Sequence, residues 1–83
     1  MSKKYNTYIS ISFMSYANDP EYNSGRIFTS NAAAKLDLHL DVSYKQAKQE
    51  MAKLMLRTGE MPEVIGKDDD TDSVMYMLSA FLD

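Results

Sequence analysis

The chain has 83 residues, 45% of them apolar and 25% charged, which excludes a second independent core and the sparse, highly charged composition of a disordered segment. It contains no cysteine, so disulfides, thiol nucleophiles and thiolate zinc sites are excluded together. The formal charge of −3 hides a segregation: residues 43–58 hold Lys45, Lys48, Lys53 and Arg57 against Glu50, whereas residues 59–83 hold Lys67 against Glu60, Glu63, Asp68, Asp69, Asp70, Asp72 and Asp83.

Lys3 and Lys4 precede a stretch broken by Asn6, Thr7, Ser10 and Ser12, which lacks the apolar core of a signal peptide. No apolar run reaches the length of about 18 residues needed to cross a bilayer as a helix. The expectation is therefore a single domain over 1–83, resident in the cytoplasm. A domain of this size buries only about 60–65% of its unfolded surface, so a partner can add much to a thin margin of stability.

From Tyr5 to Tyr16 the chain is rich in aromatic and β-branched residues, with Ile9, Ile11 and Phe13 alternating against Ser10 and Ser12, the period of a half-buried strand. The stretch Ala17 to Gly25 is dense in Asn, Asp, Pro, Ser and Gly and reads as a loop. Arg26 to Ser30 predicts a second strand, paired with the first as an antiparallel hairpin with a long tip.

Residues 31–42 are contested. Ala32, Ala33 and Ala34 favour a helix, but Lys35 to Val42 alternates polar and apolar without exception and gathers Leu36, Leu38, Leu40 and Val42 on one strand face. The alternation favours a third strand. Ser43 followed by Gln46 forms a capping box, with Val42 and Ala47 as its staple, so a helix begins there. Tyr44, Ala47, Met51, Leu54 and Met55 make its apolar stripe, Arg57 suits its final turn, and Gly59 ends it.

Met61 to Gly66 reads as a linker that includes a brief extended piece. After a polar turn, Asp70 or Asp72 is placed to cap a last helix with Val74, Met77, Leu78, Phe81 and Leu82 at helical spacing. The expected architecture is α+β in the order β-β-β-α-α: a small antiparallel three-stranded sheet with two helices packed on one face.

Chemistry is sparse in this sequence. None of the common phosphate-loop, dinucleotide, nucleophile-elbow or paired-histidine zinc motifs is present, and the single histidine, His39, falls between Asp37 and Asp41 on the polar side of its alternation. A solvent-facing strand histidine is the favoured reading over a general base. Asp68, Asp70 and Asp72 have the first three spacings of a calcium loop, but Ser73 stands where the sharp turn wants glycine and Ser79 where a bidentate glutamate is needed. A solvated turn is favoured there too. No catalytic residue, cofactor or metal is expected.

The leading expectation is a non-enzymatic protein-binding module, an acidic accessory or inhibitory factor of the kind carried by bacteria and phages. Asp68, Asp69, Asp70 and Asp72 would steer it to a basic surface, beside Tyr76 on the terminal helix. Tyr8 and Tyr16, pointing away from Ile9, Ile11 and Phe13, would make the outer sheet face a place for a partner or a second copy of the chain, a homodimer. Met75 and Tyr76 lie off the terminal stripe and add an adhesive patch.

The alternative is a helix-turn-helix-like nucleic-acid binder using Lys45, Lys48, Lys53 and Arg57. It is disfavoured because the acidic tail repels the same phosphates.

Overall fold

A computed structural model describes residues 7–16, 23–31 and 36–82. Of the loop expected over Ala17 to Gly25, residues 17–22 lie outside them, as do the alanines at 32–34, and Ser24 and Gly25 belong to the second strand instead. Six elements follow in order: β1 (Thr7–Tyr16), β2 (Ser24–Asn31), β3 (Leu36–Val42), α1 (Tyr44–Thr58), β4 (Glu63–Asp68) and β5 (Ser73–Leu82). The strands form one antiparallel sheet in the order β3-β2-β1-β5-β4.

The first three strands and α1 form where hydrophobic period and capping chemistry place them. Ile11 lies opposite Ile27 and Leu78 across the sheet, and these residues face the helix with Ile9, Phe13 and Val42. Asn23 closes the approach to β2 by accepting the Tyr16 backbone N–H through Oδ1 at 2.6 Å.

Ser43 caps α1 by accepting the Gln46 backbone N–H at 3.1 Å. Gly59 stops it in the left-handed region at φ 75°, its N–H bonded to the Met55 carbonyl at 2.8 Å.

The expected three-stranded sheet with two helices is wrong: the sheet has five strands and there is a single described helix. The segment Ser73–Leu82, expected as a terminal helix, is β5, and the brief extended piece after Pro62 is the full strand β4. Asp70 and Asp72 therefore cap nothing; they belong to the turn between two strands.

The physical reason is that the β5 sequence satisfies two periods. Val74, Met77, Leu78, Phe81 and Leu82 fit a helix stripe, but Val74, Tyr76, Leu78, Ala80 and Leu82 fit a strand face equally well. Pairing decides between them. β5 lies along β1 from Thr7 opposite Leu82 to Tyr16 opposite Ser73, a ten-residue ladder that a helix would leave unmade on the inner edge of β1.

Register fixes directions. β3 and β4 run the same way at opposite edges of the sheet, so α1 must carry the chain back across it. The helix lies over β1, β2 and β5, and the core of Ile11, Ala47, Met51, Leu54 and Leu78 sits beneath it. Gly25 sits against Ala47 so closely that a Cβ there would collide with the Ala47 methyl, and this lets the start of the helix approach β2. Phe13 extends the core between Tyr44 and Tyr76, with ring centroids 5.2 and 4.9 Å away.

Candidate functional site

Among the described residues, no helix lies on one side of the sheet. The period of two turns Tyr8, Ser10, Ser12, Met14 and Tyr16 of β1 away from α1, and the register sets Phe81, Ser79, Met77, Met75 and Ser73 of β5 beside them. On the other flank, Phe28 and Arg26 of β2 bring His39 and Asp41 of β3 into the same face.

The face has two ends of different character. At one end an aromatic row crosses four strands: Phe81 to Tyr8 at 5.0 Å, Tyr8 to Phe28 at 6.3 Å, and Phe28 to His39 at 4.5 Å between centroids. The rings meet tilted or edge-on, the geometry their quadrupoles favour. At the other end, Met14, Tyr16, Met75 and Met77 line a depression of about 630 Å³ together with Arg26 and Asp41, and Phe13, Gly25 and Val42 also contribute to its wall. Between the ends the Ser79 hydroxyl donates to the Ser10 hydroxyl oxygen at 2.9 Å.

The acidic cluster stands at the methionine end. Asp68 closes β4, Asp69, Asp70 and Asp72 lie in or beside the exposed turn, and a second hollow joins Asp68 to Met14, Tyr16 and Met75. Asp68 Oδ1 accepts the Asp70 backbone N–H at 3.0 Å, so that carboxylate shapes the turn, and Asp72 adopts φ 52°, a conformation short polar side chains tolerate. Among the described residues no three His, Cys, Asp or Glu side chains converge to hold a metal ion.

The structure thus brings Tyr8, Tyr16, Asp68, Asp69, Asp70 and Asp72 to one face and its rim, and separates Tyr76 from them. Tyr76 lies on the helix-bearing side, half-buried against Phe13. The sequence missed Phe28, Phe81 and Met77 because an apolar residue's facing follows from strand register, and β5 was assigned the wrong period. Met75, singled out as lying off the expected helix stripe, does reach the open face.

The cations of α1 are elsewhere. Lys45, Lys48, Lys53 and Arg57 are exposed; Lys48 lies 5.1 Å from the Tyr44 ring and Lys53 pairs with Glu50 at 3.2 Å. A helix-turn-helix would need a helix just before α1, and the segment there, Leu36–Val42, is the strand β3. His39, between Asp37 and Asp41 in sequence, packs edge-on against Phe28, and Asp41 accepts from Arg26 at 3.0 Å.

Such an arrangement is suited to non-covalent adhesion. Methionines adapt to a partner's shape, aromatic rings supply contact area at small entropic cost, and rim carboxylates add long-range attraction for cations. No family model, curated protein or solved structure matches this chain. Among the described residues no helix is long and apolar enough to cross a membrane.

Proposed function

We propose that this chain is a non-enzymatic protein-binding module that docks the open sheet face against a partner presenting a basic surface, as an accessory or inhibitory factor. The observation that carries the reading is the uncovered face itself. A sheet normally buries one side and leaves the other polar, whereas here the side without a helix bears Tyr8, Phe28, Phe81, Met14, Met75 and Met77. The turn of Asp68, Asp69, Asp70 and Asp72 sits at its rim, where it steers a cationic partner into register with the apolar patch.

The test is capture of the partner from the native host, followed by titration of purified components. Replacing Asp68, Asp69, Asp70 and Asp72 by Asn keeps the Asp68 acceptor and a residue tolerant of the Asp72 backbone while removing the charge. Affinity should fall about tenfold or more, which is about 1.4 kcal/mol, and its salt dependence should flatten. Met75→Asp in the depression should abolish binding. Unchanged affinity in Met75→Asp would remove the open face from the proposal, and an unchanged salt slope in the Asn variant would remove the steering.

A nucleic-acid role for α1 makes a separate forecast. Oligonucleotide binding at low salt, lost when Lys45, Lys48, Lys53 and Arg57 become Gln, would replace this reading.

A further inference from the structure

The two edges of the sheet are built differently. β4 carries a register shift between Val64 and Gly66, then Lys67 and Asp68, all devices that discourage another strand from adding on. β3 lacks the irregularity: its seven residues pair in unbroken register without proline, glycine, lysine or bulge, and its charges are the carboxylates Asp37 and Asp41. Among the described residues no strand lies beyond it. Its leucines point to the side that carries α1 but fall outside the helix's cover, leaving Leu36 55%, Leu38 49% and Leu40 55% exposed.

We propose that β3 pairs antiparallel with β3 of a second copy of this chain, in the register that sets Leu38 opposite Leu38. Side-chain chemistry selects that register. With Leu38 on the two-fold axis, Leu36 faces Leu40 of the other copy, and on the opposite side of the sheet Asp37 faces His39, an imidazole able to donate to its carboxylate. With His39 on the axis, Asp37 meets Asp41 twice and the like charges repel. With Leu40 on the axis, His39 meets Asp41, but Arg26 already holds that carboxylate at 3.0 Å, and the strand ends at Val42, so Leu36 finds no partner. The Leu38 register alone covers all three leucines of each copy and opposes no like charges among the described residues.

The two-fold axis runs through the sheet, so both helices lie on one side and the six leucines fill the floor between them. Both open faces then look the same way. The pairing does not depend on the function proposed above; only the consequence, a doubled docking face with the avidity of two linked sites, rests on it.

The chain has no cysteine, which makes the register directly readable. Sedimentation equilibrium over a concentration series should show twice the 9.4 kDa chain mass, and Leu38→Lys, with circular dichroism unchanged, should sediment as the monomer. Under mild oxidation Leu38→Cys should cross-link to a covalent dimer, because residues directly opposite in an antiparallel pair lie about 4.5–5.5 Å apart at Cα, within disulfide reach. Leu40→Cys should not, since its copies sit about 13 Å apart along the strands. A wild-type monomer at every concentration overturns the proposal, as does a dimer that survives Leu38→Lys or cross-links through Cys at 40 instead of 38. Met75→Asp should leave the dimer intact, so loss of partner binding and loss of pairing are told apart.

Discussion

Two glycines set the position and length of the helix for different reasons. Gly25 is needed for space: its missing Cβ lets Ala47 approach β2. Gly25→Ala should push α1 off the sheet and cost about 1–3 kcal/mol in denaturant unfolding, the usual penalty for overpacking. Gly59 is needed for its backbone: at φ 75° nothing crowds the Cα, so Gly59→Ala should cost about 1 kcal/mol through conformation alone. Comparing the two by urea titration separates packing from dihedral strain. Arg26 and Asp41 show the opposite limit. Their side chains are 59% and 82% exposed, so Asp41→Asn should change stability by less than about 1 kcal/mol. At this scale the sequence was legible wherever a side chain acts on its own neighbourhood, as Ser43 and Gly59 do, and illegible at Gly25, whose requirement comes from a residue 22 positions away in the chain.

The elements differ in how firmly they are held. β1 is paired with β5 along its whole length and with β2 from Thr7 to Met14, and lies under the helix; β5 has β4 on its other side from Ser73 to Met77. Among the described residues β3 and β4 are paired on one side only, and most of their side chains are exposed. Amide hydrogen exchange in dilute protein should therefore be slowest in β1 and at Leu78 of β5 and fastest in β3 and β4, because edge strands open without disrupting the core. Leu54, 3% exposed in the core, anchors α1, and Leu54→Ala should lose about 2–5 kcal/mol and accelerate exchange throughout. β3 was readable because its strict alternation admits one period. β5 was not, because eight of its ten residues are apolar and both periods fit.

Across the whole molecule, charge and apolar surface are sorted to different places. The cations Lys45, Lys48, Lys53 and Arg57 are exposed on α1 on one side of the sheet, Tyr8, Phe28 and Phe81 with Met14, Met75 and Met77 occupy the other side, and the carboxylates of the β4–β5 turn sit at one end. Part of this was fixed by residue order alone: the strand period of β1, β2 and β3, the capped helix, the basic middle and the acidic turn. Each depends on interactions among residues a few positions apart, which chain order preserves. The rest was decided by pairing at a distance. That Ser73–Leu82 is a strand, that Tyr76 turns toward the core, and that Phe81 joins Tyr8, Phe28 and His39 all follow from the ladder with β1, whose partners lie more than fifty residues apart. An apolar residue carries no mark of which face it will occupy; hydrogen bonding to a remote strand supplies that choice, because an unpaired inner edge on β1 would cost more than any local preference of β5 for a helix.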